Sequence, residues 1–118
     1  MIRLSIHYLH DSEGRIIRQE DGARSAEWTV MKGLKFLQPC AVVVALNKAI
    51  QSGLEGQDDR AYMASLVSDE PKVLVQWRSG RTDRVPISDL NVRQAQLLAV
   101  ELGAAFAIGQ HMPEEGKR

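Results

Sequence analysis

Hydrophobic and polar positions alternate at the start of the chain, where Ile2, Leu4, Ile6 and Tyr8 are interleaved with Arg3, Ser5 and His7. That period of two is the pattern of a strand with one buried face. Asp11-Ser12-Glu13-Gly14 predicts a turn in which Gly14 can take a positive φ, and Arg15 to Gln19 returns as the hairpin partner. Asp21-Gly22 is a second turn signal, and Glu27 to Met31 reads as a third strand.

The period then lengthens. Pro39 suits the first turn of a helix, where its missing N–H costs nothing, and the helix reaches about Gln51 before stopping at Ser52-Gly53. Beyond the loop Gly53-Leu54-Glu55-Gly56, Asp58 is placed to cap a short helix carrying Tyr62, Met63, Leu66 and Val67. Val73, Val75 and Trp77 alternate with Leu74, Gln76 and Arg78, Ser79-Gly80 turns the chain, and a strand near Arg84 to Ile87 completes a second hairpin. Ser88 or Asn91 caps a final helix running to about Ile108, with Asn91 and Gln94 at capping-box spacing.

The predicted architecture is α+β: an antiparallel sheet of four to five strands from two hairpins, with two long helices and one short helix packed mainly on one face. Residues 1–111 form a single domain and 112–118 a flexible C-terminal tail. No internal repeat, linker or low-complexity block is apparent.

Small residues recur four apart in both long helices: Ala41, Ala45, Ala49 and Gly53 in the first, Ala95, Ala99, Gly103 and Ala107 in the last. Such ridges let another backbone approach closely, and close packing would offset the roughly 1 kcal/mol that a mid-helix glycine costs. From Leu97 to Ile108 only Glu101 is charged, so apolar side chains point in nearly every direction. A helix with no polar side is either covered twice or meets a partner. The helix-interface residues expected from this are Ala95, Ala99, Val100, Gly103, Phe106 and Ala107.

Composition narrows the function classes. Of 118 residues 44% are hydrophobic and 25% charged, which is ordinary for a globular chain. Fifteen basic and fifteen acidic side chains cancel, so no global field steers the protein to nucleic acid or to an anionic membrane. A local basic patch does exist: Arg78, Arg81 and Arg84 crowd one hairpin beside Trp77, the residue types that contact phosphates and stack on bases. The parity of Trp77 with Val73 and Val75 turns its ring inward, against stacking. No apolar leader is visible, and the run Leu97 to Ile108 is shorter than the roughly 20 residues a membrane span needs. The reading is cytoplasmic, with no membrane partner.

Candidate chemistry is sparse. His7, His10, Asp11 and Glu13 are metal-ligand types, but His7 and His10 fall on opposite faces of a strand, so a solvated hairpin tip is the simpler reading and no metal site is assigned. Cys40 is the one cysteine. It stands where a helix N-terminus would lower a thiol pKa, yet Ala41-Val42-Val43-Val44 follow, and a small, inert, buried core residue is expected. No phosphate loop, nucleophile elbow or zinc-protease motif occurs, and no catalytic residue or cofactor is assigned.

From Met31 onward the predicted order of strand, helix, Gly53-x-x-Gly56, helix, strand, strand, helix is similar to the KH family, whose Gly-x-x-Gly loop clamps a nucleic-acid backbone. The match is confined to Gly53 and Gly56. Glu55, Asp58 and Asp59 put carboxylates where a phosphate would sit, so the resemblance is not adopted.

The functional expectation is a non-catalytic small binding protein, whether adaptor, regulator or stoichiometric inhibitor, that acts by protein–protein association as a homodimer or with another protein. The alternative is nucleic-acid binding through the Arg78/Arg81/Arg84 hairpin, and a third is an enzyme with no recognisable motif.

Overall fold

The computed structural model describes residues 5–21, 26–66 and 70–111. The chain folds as β1 (Ser5–His10), β2 (Ile16–Asp21), β3 (Ala26–Met31), α1 (Gln38–Leu54), β4 (Arg60–Ser65), β5 (Lys72–Trp77), β6 (Thr82–Arg84) and α2 (Val92–His111). The α+β class is as predicted. The single sheet is not: the strands form two antiparallel three-stranded sheets, β1-β2-β3 and β4-β5-β6.

The first hairpin closes where the sequence placed it. The Asp11 carboxylate accepts the N–H groups of Glu13 (2.9 Å) and Arg15 (3.0 Å) and pairs with the Arg15 guanidinium at 2.6 Å. Gly14 takes φ +77°, and a side chain there would also strike the Leu34 carbonyl. In the sheet Tyr8 lies opposite Arg18, which lies opposite Trp28.

The short helix predicted from Asp58 is instead β4. Its six residues pair along β5, from Arg60 opposite Trp77 to Ser65 opposite Lys72, and half-buried Tyr62 and Ala64 alternate with exposed Ala61 and Met63. Local propensity yields here to a complete ladder with the next strand. Val67 lies outside the described residues, as do Ile2, Leu4 and the 112–118 tail.

Both helix termini have clear local causes. Pro39 sits in the first turn of α1. The helix runs through Ser52-Gly53 rather than stopping there, because the N–H groups of Gly56 and Gln57 turn back to the carbonyls of Gly53 and Ser52, both at 3.1 Å, while Gly56 takes φ +72°. This is a Schellman-type stop displaced by one turn from the predicted one. At α2, Asn91 and Gln94 form the predicted capping box: Gln94 N–H donates to Asn91 Oδ1 (2.7 Å) and Asn91 N–H to Gln94 Oε1 (3.0 Å).

The element order is one unit used twice, three antiparallel strands and a helix, although no repeat is apparent in the sequence. The displacement that carries Leu34 to Leu90 also carries Gln38 to Gln94, Val42 to Leu98, Leu46 to Leu102, Ala49 to Ala105, Ile50 to Phe106 and Gly53 to Gly109. Apart from the two glutamines, every member of these pairs is buried. Gln38 Oε1 accepts the Lys35 N–H (2.9 Å) as Gln94 Oε1 accepts that of Asn91. Each glutamine also reaches into the other half. Gln38 Nε2 donates to the Asp89 carbonyl (2.9 Å) and Gln94 Nε2 to that of Gly33 (3.2 Å). Gly33 and Asp89 are themselves counterparts, and both have positive φ, 79° and 62°. The two units are therefore related by a pseudo-twofold axis.

The helices meet on that axis near their C-terminal ends. A β-carbon at Gly53 would run into the Phe106 carbonyl, and one at Gly109 into that of Ile50. The ridge predicted for the last helix is followed only in part. Ala95 and Ala99 are buried, but Gly103 has open space over its Cα and Ala107 is exposed. Each step of four residues overshoots a turn by about 40°, so three steps rotate Ala107 about 120° away from Ala95. The contact line passes instead through Leu102, Phe106 and Gly109.

The Cα envelope measures 49 × 38 × 17 Å, thin enough for about two layers. Hydrophobic residues from both sheets and both helices form one continuous core, with Ile16, Val42, Leu46, Val73, Leu98 and Leu102 its largest fully buried side chains.

Candidate functional site

Three surfaces carry the sequence-predicted residues or new ones. The first is the outer side of α2. Of the six interface candidates, Ala95, Ala99 and Phe106 face the intramolecular core, Gly103 is half-buried, and Val100 and Ala107 point outward, with Val100 72% exposed. The outward face between Arg93 and Gln110 consists of Gln96, Leu97, Val100, Gly103, Ala104 and Ala107, without a charge. Glu101 is turned aside, where its carboxylate accepts the Tyr8 hydroxyl at 2.7 Å and pairs with Arg18 at 3.3 Å. Burial first, and then the Glu101 carboxylate, hold the Tyr8 phenol well above its ordinary range. Asn47 of α1 fixes the same tyrosine from the backbone side, accepting its N–H at 2.9 Å and donating to its carbonyl at 3.0 Å.

The second surface is the β5–β6 hairpin. Trp77 is half-buried, as its parity predicted, and its ring lies between two guanidinium groups, Arg81 at 4.2 Å and Arg60 at 5.6 Å from the ring centroid. Arg84 is bound to Glu70 at 2.6 Å. Arg78 is exposed, and its N–H donates to the Asp59 carbonyl. The arginine cluster is thus divided: one member holds a carboxylate, one covers the tryptophan, and one faces solvent.

The third surface was not foreseen. Between α1 and the second sheet lies a cavity of about 420 Å³ lined by Ala41, Ala45, Ala49, Tyr62, Val75 and Leu102, with Lys48, Arg60, Asp83 and Arg84 among its polar lining. Burial lifts the Tyr62 phenol above its ordinary range, opposed by the adjacent Arg60 guanidinium. Reading residues 60–65 as a helix hid this site, because only on a strand do Arg60 and Tyr62 share a face with Val75 and Trp77.

Cys40 is exposed rather than buried, since the α1 residues that face the core are Pro39, Val42 and Leu46. Phe36 (97%) and Leu37 (81%) stand out in solvent just before α1, Phe36 with φ +56°. Among the described residues no group of three or more His, Cys, Asp or Glu could hold a metal ion, and no helix is long and apolar enough to cross a membrane. Comparison with protein-family models, with curated proteins and with solved structures finds no match to this chain.

Proposed function

We propose that this chain is a small non-catalytic binding protein that associates with a second copy of itself through the outward face of α2. The observation that carries the reading is the uncharged strip of Leu97, Val100, Gly103, Ala104 and Ala107 on a helix whose only mid-length charge, Glu101, is engaged inside its own subunit. A strip that is apolar and built of small residues suits its own copy. Related by a twofold axis, each helix would set its Val100 over the open space at the other's Gly103, with no like charges to repel. The net charge of zero removes any long-range penalty on pairing.

Sedimentation equilibrium tests this directly. The wild type at tens of micromolar should run well above its 13.1 kDa chain mass, and Val100→Glu should return it to that mass with its circular dichroism unchanged. Val100 is exposed, so its replacement leaves the fold intact. A wild-type protein that sediments as a 13.1 kDa species removes the support for this reading.

A further inference from the structure

The two halves differ where each sheet meets the opposite helix. In the first half, Tyr8 and Arg18 from the sheet converge on Glu101 of α2, at 2.7 and 3.3 Å, and close the interval. The displacement relating the two helices puts Ala45 in α1 where α2 has Glu101. The corresponding interval in the second half, between α1 and the second sheet, is open. It is the cavity of about 420 Å³ walled by Ala41, Ala45, Ala49 and Val75.

The polar groups there include Tyr62, Lys48, Arg60, Arg84 and Asp83, and among the described residues neither Arg60 nor Lys48 pairs with an acid. Arg60 stands beside Tyr62. Its guanidinium lies 4.8 Å from the Phe106 ring centroid and 5.6 Å from that of Trp77, and among the described residues its hydrogen bonds go to neutral oxygens, the Asp58 carbonyl at 3.2 Å and Gln57 Oε1 at 3.3 Å among them. Lys48, from α1, makes no ion pair among the described residues. Arg84 is held by Glu70, and the Asp83 carboxylate accepts the Arg84 N–H at 2.8 Å. A tyrosine and an arginine are thus answered by a carboxylate of the chain itself in one half, and in the other Tyr62 and Arg60 bond to no carboxylate among the described residues.

We infer that this cavity binds a small organic carboxylate with an apolar body, its head between Arg60, Tyr62 and Lys48 and its body against Ala45, Ala49 and Val75. The size lies within the roughly 300–1,000 Å³ typical of small-molecule pockets, which are apolar with a few convergent polar groups. The Tyr62 hydroxyl, like any phenol near its ordinary pKa of 10.0 or above, is protonated near neutrality and able to donate to the carboxylate as Tyr8 donates to Glu101.

The test is an NMR titration with 3-phenylpropionate and with its uncharged counterpart 3-phenylpropanol. The acid should move the backbone amides of Ala45, Lys48, Tyr62 and Val75, and bind about ten-fold more tightly than the alcohol, the margin of one charge-assisted hydrogen bond. Arg60→Gln should abolish that margin while leaving the alcohol's affinity alone. Ala45→Glu, which supplies the absent acid from α1, should abolish binding of 3-phenylpropionate. The inference is overturned if neither compound binds at millimolar concentration, if acid and alcohol bind equally, if the shifted amides lie elsewhere, or if Ala45→Glu binds as the wild type does. Should Ala45→Glu not fold, Arg60→Gln decides alone, since loss of the margin supports the site and its persistence refutes it. Val100→Glu, on the far side of the self-association reading, should leave this titration unchanged.

Discussion

Gly53 and Gly109 each stand where a β-carbon would collide with a backbone carbonyl of the other's helix, that of Phe106 for Gly53 and that of Ile50 for Gly109. The contact is reciprocal because the two residues are counterparts under the internal pseudo-twofold. It makes the helix crossing tightly constrained, since backbone cannot yield as the end of a long side chain can.

Alanine at either position therefore has to push the helices apart. Gly53→Ala and Gly109→Ala should each destabilise by about 2 kcal/mol or more, even though alanine is the better helix former. Gly103→Ala has nothing within 4 Å to meet and should instead stabilise the protomer by up to about 1 kcal/mol. Urea midpoints of the three variants, measured side by side, check the contrast. A neutral Gly109→Ala would mean that the helices do not approach as described.

The two glutamines should behave alike. Each satisfies one N–H at the start of a helix and ties it to the opposite half, Gln38 through the carbonyls of Ser88 and Asp89, Gln94 through that of Gly33. Both lie in exposed settings, so Gln38→Ala and Gln94→Ala should cost about 1 kcal/mol each. Unequal losses in denaturant titrations would show that the pseudo-twofold is geometric but not energetic.

At Tyr8 the sign of the pH dependence follows from the shift. Burial and Glu101 raise the folded-state phenol pKa above its ordinary value of 10.0, so the unfolded chain gives up this proton first as pH rises. The stability it contributes is complete below about pH 10 and is lost progressively above it. Tyr62 adds a component of the same sign. Tyr8→Phe should cost about 1 kcal/mol near neutrality and flatten the decline above about pH 10. Glu101→Ala should cost more, about 2 kcal/mol, because it strips the acceptor from Tyr8 and the counter-ion from half-buried Arg18, whose Nε already has no partner. Thermal melts across that pH range, with both variants, measure these effects.

How much of this could be read from the chain depends on distance along it. The turns at 11–14 and 79–80, the Asn91/Gln94 box and the period of the long helices are local, and the structure has them with small shifts in their ends, while the Asp21-Gly22 turn lies outside the described residues. Nothing local marks residues 60–65 as a strand; what makes them one is the ladder to Lys72–Trp77. The repeat escaped notice because its strands differ in composition and in register: Ser5 faces Asp21 where Arg60 faces Trp77. Only the helices keep the correspondence residue by residue. With a helix over residues 60–65 the two halves would not share an element order. The cavity is hard to read for a related reason, since its walls come from α1 and from the segment carrying β4, β5 and β6, and α1 has Ala45 where α2 has Glu101.

The doubling also governs the order in which the chain can become itself. The helix pair at the centre of the core joins one half to the other, and the bond from Tyr8 to Glu101 spans 93 positions. A nascent chain that has released only the first unit has no second helix against which to set Leu46 or Ile50. Those greasy residues must wait, or lean on whatever resembles α2, and the nearest imitation is the same half of a neighbouring nascent chain. Crowding on the ribosome is then the moment at which this protein is most exposed to pairing with the wrong strand of itself.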